Sequence, residues 1–254
     1  MFHWLLRTLP RPLLIRLSLW FSKLAPLLYY GQRYEDPISG QTYRKFLPYG
    51  YEGRAKRKNV LCPGTLSLER HRLLWLFLKR HSNFFTSNLN VLHIAPEQCF
   101  YKRFKAMPNL TYTTADYNSP IADLHFDLHK APLPDNSYDV IFCNHVLEHV
   151  ENDMQCIREL FRMMKCGGWG VFQVPLDTSR ETTYEDDRIT SPEERAIHFW
   201  QKDHVRLYGR DFPLRLKAAG FNVIAYNMCE ALGPEAVERY RLPQGEIIYL
   251  CCKD

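Results

Sequence analysis

The sequence of 254 residues lacks several patterns that would assign a chain to a class at once. Its eight cysteines include no Cys-x-x-Cys pair. We therefore interpret them as buried free thiols in a reducing compartment rather than as a disulfide framework. No run of about 20 apolar residues is present that could cross a bilayer. No long Lys/Arg stretch is interleaved with aromatic residues, which argues against nucleic acid as a partner.

Apolar and charged residues are present in ordinary proportions, at 46% and 24% of the chain. This composition is typical of a globular protein, and the length suits one α/β domain with appendages. The formal net charge of +5 is concentrated near the start of the chain, where every charged residue before Glu35 is basic.

Residues 1–30 form a distinct basic amphipathic segment. Pro12 and Pro26 mark the expected start and end of a helix. One face of this helix is apolar and consists of Leu13, Leu17, Trp20, Phe21, Leu24 and Leu28. Charges interrupt the segment too often for a bilayer span, and no small-residue cleavage site follows it. Residues 1–28 therefore predict a peripheral membrane contact, and packing on the domain or on a partner subunit is the alternative.

Two further segments follow along the chain. Residues 31–66 are rich in Gly, Pro, Tyr and Arg, which predicts an irregular connector. Residues 67–254 are expected to form the main domain, which opens on a helix with Ser67 as a suitable N-cap.

Within the main domain, apolar strand-like runs end repeatedly in an acid or an amide. Examples are the runs at 110–116 and 138–144, which end in Asp116 and Asn144. Because a parallel sheet presents such groups to a small ligand along its carboxyl edge, the pattern predicts an α/β fold with a ligand site at that edge.

The passage from Leu133 to Asp139, together with Asp116, Asp127 and the stop at Gly167-Gly168, resembles the class I S-adenosylmethionine-dependent methyltransferases. The resemblance implies a Rossmann-like seven-stranded sheet, mostly parallel, whose last strand is antiparallel, behind an N-terminal helical and irregular extension. It also implies S-adenosyl-L-methionine as the cofactor and methyl transfer as the reaction.

Within this family, the chain is similar to bacterial methyltransferase-domain proteins that carry two Cys-Pro-x-Cys-Gly zinc knuckles in the region of residues 31–66. Here the corresponding places are Asp36–Gly40 and Cys62–Leu66, so only Cys62 remains as a candidate thiolate. A structural zinc site requires four ligands, and we therefore predict no metal in this degenerate region.

The resemblance assigns the nucleoside contacts to two strand ends. Asp116, which lies 23 residues after His93, is expected to accept from the ribose hydroxyls, with Tyr117 beside it. Asp127 is expected to accept from the adenine amino group, and the Leu128 amide is expected to serve a ring nitrogen.

The first turn departs from the pattern of the family. His93 occupies the place of an acid, and Ala95-Pro96-Glu97 replaces a Gly-x-Gly loop. We expect His93, Ala95 and Glu97 to line the cofactor site, with Glu97 facing the ammonium group, and a structural core histidine is the alternative for His93. Arg70 or Arg72 is a candidate counter-charge for the cofactor carboxylate.

Asn144 and His145 are expected to face the cofactor or the substrate, and the polar segment after Pro175 is expected to cover the substrate. His204 is the first candidate for a general base because a neutral imidazole can take a proton near pH 7, and His145 is the second. His145 and His149 with a glutamate can suggest a metal, but the His-x-x-x-His spacing is a weak signal and the family resemblance argues against a metal, so none is predicted here.

These observations predict methyl transfer to a small, glycan-linked or lipid-linked polar acceptor. The predicted location is cytoplasmic, with the inner face of the membrane as the site of any peripheral contact. One alternative is a non-catalytic, membrane-associated scaffold or binding protein of the same fold. A nicotinamide-dependent oxidoreductase is disfavoured because the Gly-x-Gly-x-x-Gly fingerprint is absent.

Overall fold

The computed structural model of the chain describes residues 11–50 and 56–254. The first ten residues of the predicted membrane segment therefore lie outside the described residues, as does 51–55 of the connector. The chain divides into two compact units. One takes in the chain up to Ser82 together with Met228–Glu246, and the other comprises Asn83–Asn227 and Ile247–Asp254. This division falls later than the boundary expected at residue 67.

The first unit combines helices with short antiparallel strand pairs. Its elements begin with α1 (Arg11–Leu28), β1 (Tyr30–Asp36), β2 (Gln41–Tyr43), β3 (Leu47–Tyr49), β4 (Arg57–Leu61) and α2 (Glu69–His81). Helix α1 continues past Pro26, the expected end, to Leu28. Helix α2 begins one residue later than Ser67 as N-cap would place it; Leu68 is at the N-cap position, and the Ser67 hydroxyl donates to Asp36. Among the described residues, no helix is both long and apolar enough to cross a bilayer.

An aromatic cluster forms the core of the strand pairs in the first unit. Tyr34, Tyr43, Phe46 and Cys62 are all buried in it. Burial raises the pKa of the Cys62 thiol to about 11, so this sulfur packs as a neutral group.

The second unit is built on one large sheet. Its elements are β5 (Leu89–Ile94), α3 (Gln98–Lys105), β6 (Leu110–Asp116), β7 (Leu124–His125), β8 (Tyr138–Asn144), α4 (Asp153–Met163), β9 (Met164–Gln173), β10 (Tyr184–Glu185), α5 (Pro192–His198), β11 (Arg206–Leu207), α6 (Phe212–Ala218) and β12 (Asn222–Tyr226). The chain then returns to the first unit through α7 (Met228–Leu232) and α8 (Pro234–Tyr240), and it ends in the sheet with β13 (Ile248–Cys252).

The strand order is β12-β13-β9-β8-β5-β6-β7. The strands from β9 to β7 run parallel, and β13 is antiparallel to both of its neighbours. The predicted Rossmann-like seven-stranded fold is thereby confirmed. The central strand β8 is buried because Val140–Cys143 is apolar on both faces of the sheet.

Helix α4 packs its apolar stripe of Cys156, Ile157, Leu160 and Met163 into the core of this unit. The Asn152 side chain caps the helix by accepting from the Gln155 amide at 3.0 Å. The helix ends at Met163, and the chain enters β9 directly at Met164. The reversal expected at the glycine pair occurs as an irregularity inside β9, where Gly167 has a φ of 76°.

Candidate cofactor and acceptor site

The carboxyl ends of three neighbouring strands meet at one edge of the sheet. Ile94, the last residue of β5, is paired with Ala115 on β6 and with Cys143 on β8. The residues that directly follow Ile94, Ala115 and Cys143 therefore lie side by side at this edge of the sheet. These residues are Ala95, Asp116 and Asn144, which the sequence assigned to the cofactor.

Ala95 adopts the backbone conformation that a glycine would favour. Its φ is 51°, in the left-handed region, and its amide donates to the Ala115 carbonyl at 2.8 Å. A residue with a Cβ atom pays roughly 1–2 kcal/mol for this conformation. The first turn thus keeps a glycine-like path although it lacks the glycines of the family.

The side chains of His93 and Glu97 contact each other next to this turn. His93 is 0% exposed, and its Nε2 lies 2.5 Å from Glu97 Oε2. Its Nδ1 lies 2.8 Å from the Tyr112 hydroxyl, and burial raises the pKa of that tyrosine so that it stays neutral. Glu97 Oε1 also accepts from Asn144 Nδ2 at 3.3 Å. His93 is thus placed to orient Glu97, and its own side chain has no surface that a ligand could contact.

Asp116 closes a tight turn with one of its two carboxylate oxygens. Oδ1 accepts from the amides of Asn118 at 2.9 Å and Ser119 at 2.8 Å. Oδ2 makes no hydrogen bond with the described residues, which leaves it available as an acceptor. The adjacent Tyr117 is 76% exposed.

Asp127 is oriented by His129, a residue that sequence reasoning missed. Asp127 Oδ1 accepts from the His129 amide at 2.9 Å and lies 2.6 Å from His129 Nδ1. Because the Asn152 amide donates to His129 Nε2, the ring proton is on Nδ1 and is donated to Asp127. The backbone hydrogen bond from His129 and the ring hydrogen bond lower the pKa of Asp127. Leu128 begins the short 3₁₀ turn that Asp127 caps.

His145 and Glu148 form a dyad directly after β8. His145 Nδ1 lies 3.2 Å from Glu148 Oε1, and the carboxylate side chain is only 2% exposed. The His145 side chain is 28% exposed, but its Nε2 atom is itself buried and has no hydrogen-bond partner. Glu148 was not among the predicted catalytic residues, although its position three residues after His145 was the available signal.

His204 lies beside this dyad but is itself enclosed. It is 1% exposed, and its Nδ1 lies 2.9 Å from the Phe199 carbonyl oxygen. Burial lowers the pKa of His204, which favours a neutral ring. The adjacent Val205 amide donates to the Glu148 carbonyl at 2.9 Å, so the two segments meet although they are far apart in the sequence.

Arg72 cannot serve as a counter-charge for the cofactor. It is 0% exposed, and its guanidinium donates within the first unit to the carbonyls of Ser67, Val60, Tyr240 and Arg241 and to the Ser67 hydroxyl. These five hydrogen bonds equal the five N–H donors of an arginine side chain.

The strand order and the antiparallel β13, with polar residues at the tips of β6 and β8, define the class I methyltransferase architecture. Residues 89–172, about a third of the chain, match the family model described as a methyltransferase domain. The predicted enzyme class, S-adenosylmethionine-dependent methyltransferase, and its cofactor are confirmed with this match.

Comparison with one solved structure supports the fold. The structure of the [4+2]-cyclase SpnF matches with a TM-score of 0.51 at 14% sequence identity, over 93% of this chain and 95% of that one. An S-adenosylmethionine-dependent methyltransferase from Mesorhizobium loti matches with a TM-score of 0.46 at 15% identity, over 70% of this chain and 96% of that one. No curated protein sequence matches the chain significantly.

The edge residues fit S-adenosylmethionine in their hydrogen-bonding chemistry. The cofactor carries donors on its ribose, its adenine and its ammonium group, and the edge offers acceptors. One of these is Asn144 Oδ1, a buried oxygen without a hydrogen-bond partner. A buried acceptor of this kind costs stability unless a ligand or water satisfies it.

Proposed function

We propose that this enzyme transfers a methyl group from S-adenosylmethionine to a polar acceptor that enters beside His145. The observation that carries the proposal is the strand register, which brings Ala95, Asp116 and Asn144 to one edge of the sheet. The fold alone is not sufficient, because the matching structure of SpnF is described as that of a cyclase.

In this proposal, Asp116 Oδ2 accepts from the ribose hydroxyls while Oδ1 maintains the turn. Asp127, ionised and held by His129, accepts from the adenine amino group, and the Leu128 amide serves a ring nitrogen. Glu97 and Asn144 Oδ1 face the ammonium group. The bound cofactor supplies an electrophilic methyl group on a sulfonium, so much of the catalysis is the positioning of its partner.

His145 is the candidate general base. Its Nδ1 bonds to Glu148, and its buried Nε2 has no partner, so this nitrogen is the one that takes a proton from the hydroxyl of an acceptor that displaces the side chains around it. A carboxylate behind an imidazole fixes the tautomer and stabilises the charged ring that forms. His204, the first candidate in the sequence, is 1% exposed, so an acceptor cannot contact its ring as it is placed here.

The end of α1 supports an acceptor that is linked to lipid or presented at a membrane. Leu24, Leu27 and Leu28 are exposed there, with Leu27 at 81%. Lys23, which is also exposed, lies in the same helix. Apolar side chains next to basic ones are typical of helices that lie in the membrane interface.

The test separates cofactor binding from chemistry. Titration of the full-length protein with S-adenosylhomocysteine in a calorimeter is expected to show one binding site per chain. His145→Gln is expected to lower the rate of methyl transfer by about 100-fold or more without changing the affinity for S-adenosylhomocysteine. His81→Gln, on an exposed residue of the first unit, is the matched control and should change neither quantity.

Each negative outcome has its own meaning. Absence of heat at millimolar S-adenosylhomocysteine would support the non-catalytic scaffold instead. Binding with an unchanged rate in His145→Gln would remove His145 as the base and leave the cofactor site intact.

A further inference from the structure

A cluster of three metal-ligating side chains lies beside the His145–Glu148 dyad. Glu148, His149 and His204 each bring one ligand atom within 4.8 Å of the other two. The sequence did not indicate this cluster, because 55 residues separate His204 from His149. Two imidazoles with one carboxylate are a donor set that proteins use for zinc and for non-haem iron.

Both histidines are oriented in the way that metal-ligating histidines are. His204 Nδ1 lies 2.9 Å from the Phe199 carbonyl oxygen, and His149 Nδ1 lies 3.2 Å from that of Asp203. Because a carbonyl oxygen only accepts, each Nδ1 carries the proton, and the lone pair of each neutral ring is on Nε2. A backbone carbonyl behind the imidazole is a common outer partner of a metal ligand.

Two side-chain atoms of the cluster that could bind a cation are buried without a hydrogen-bond partner. Glu148 Oε1 bonds to His145, whereas Glu148 Oε2 has no partner, and neither has His204 Nε2. Both residues are 1% exposed. Two buried acceptors cannot satisfy each other, and each costs stability until a proton donor or a cation satisfies it.

We propose that Glu148, His149 and His204 bind a divalent cation of the zinc class. Three protein ligands leave at least one coordination position open, which suits an ion that also binds water or a polar ligand. Ligand atoms about 2.1 Å from one ion lie at most about 4.2 Å apart, so the cluster needs at most a small contraction. The ion can enter on the side of His149, whose side chain is 34% exposed.

A rigid support holds the two segments of the cluster together. The buried Arg206 donates to the carbonyls of Leu147 at 2.7 Å and Glu151 at 2.7 Å, on either side of Glu148 and His149. The Tyr208 hydroxyl donates to the Leu147 carbonyl at 3.1 Å. The ligands are thus placed before any ion arrives, which reduces the entropy cost of binding.

The proposal is tested by calorimetry on the full-length protein after treatment with a chelator. Zn²⁺ is expected to bind with one equivalent per chain, and Mg²⁺ at millimolar concentration is expected to give no heat, because Mg²⁺ prefers oxygen ligands. His149→Gln and His204→Gln are each expected to weaken Zn²⁺ binding by at least about tenfold. Co²⁺ is expected to show visible absorption bands with the unaltered protein that the two variants lack.

The control guards against zinc bound by surface histidines, since the chain has ten histidines. His81→Gln, on an exposed residue of the first unit, should bind Zn²⁺ like the unaltered protein. Equal affinity in the unaltered protein and in His149→Gln would overturn the proposal, as would the absence of a one-equivalent site. His149 is partly exposed, so this variant remains informative even if His204→Gln fails to fold.

The inference goes beyond methyl transfer and does not depend on it. A parallel titration with S-adenosylhomocysteine reports on the cofactor site alone. Loss of Zn²⁺ binding with unchanged cofactor affinity in His149→Gln would support the cation site whatever the acceptor is.

Discussion

Replacing Asp116 with asparagine alters one oxygen of the side chain on which the proposed ribose contact depends. In the structure, Oδ1 accepts from the amides of Asn118 and Ser119, whereas Oδ2 bonds to no described residue. An asparagine side chain can keep its Oδ1 on the two amides, which places an NH₂ group where Oδ2 was. The turn is therefore expected to survive, and only the acceptor for the ribose is lost.

The size of the effect follows from the acceptor capacity of the carboxylate. A carboxylate has about four lone-pair sites, and the turn uses the two on Oδ1. The two on Oδ2 can serve both ribose hydroxyls. Loss of a hydrogen bond to a charged acceptor costs about 1.5–3 kcal/mol. The NH₂ group can still donate to a hydroxyl oxygen, so we expect one such loss, which is about 10- to 150-fold in affinity.

The assay is a calorimetric titration of Asp116→Asn with S-adenosylhomocysteine, accompanied by urea unfolding. The free energy of unfolding is expected to change little, because the turn hydrogen bonds remain. Asp135→Asn is the matched control: it makes the same chemical change on a carboxylate side chain that is 66% exposed and paired with Arg162. Its affinity for S-adenosylhomocysteine should equal that of the unaltered protein.

A dissociation constant for Asp116→Asn within about threefold of the unaltered value would refute the reasoning. It would mean that the ribose is not held at the tip of β6. A loss of affinity accompanied by an equal loss in Asp135→Asn would point to a general effect of charge instead.

Two further predictions concern the support of the site and the surface of α1. Arg206→Met removes the donor to the Leu147 and Glu151 carbonyls and should lower the free energy of unfolding by about 3 kcal/mol, as measured in urea. The exposed Arg188→Met is the control and should leave the midpoint of urea unfolding unchanged. An unchanged midpoint for Arg206→Met would show that Arg206 does not support the loop after β8. Leu27→Glu should weaken sedimentation with anionic vesicles by about tenfold, since burial of one leucine contributes about 1.5–3 kcal/mol; equal sedimentation would remove the end of α1 as a membrane contact.

The altered first turn shows how a departure from a family pattern can keep its geometry. Ala95 takes the left-handed backbone conformation without being a glycine, and His93 bonds to Glu97 below it. His93 stands where the family has an acid, and Glu97 stands where the family has a glycine. The pair keeps a carboxylate near the strand tip, although it now comes from the start of α3.

Local pattern was sufficient for the sheet and for the tips of its strands. The apolar run Val140–Cys143 has to be buried on both faces, and Asp116 and Asn144 each end a strand, so their position at the carboxyl edge follows from the parallel arrangement. The confirmed seven-stranded fold needed no information beyond these runs and the family resemblance.

Local pattern was not sufficient for contacts between distant segments. The sequence could place His145 three residues before Glu148, but it could not place His204 beside them. That neighbourhood depends on the Arg206 hydrogen bonds to the loop after β8. For the same reason, the sequence could not show that Met228–Glu246, late in the chain, belongs to the first unit.

The sequence by itself determined the strands of the sheet and the residues at its edge, because periodicity and strand ends are encoded within a few neighbouring positions, whereas the enzyme class followed from the family resemblance. Only the tertiary structure decided that the His145 side chain is partly exposed, that His204 is enclosed, and that Glu148, His149 and His204 lie together. These properties depend on burial and on contacts between residues far apart in the sequence, and residue spacing alone does not predict them.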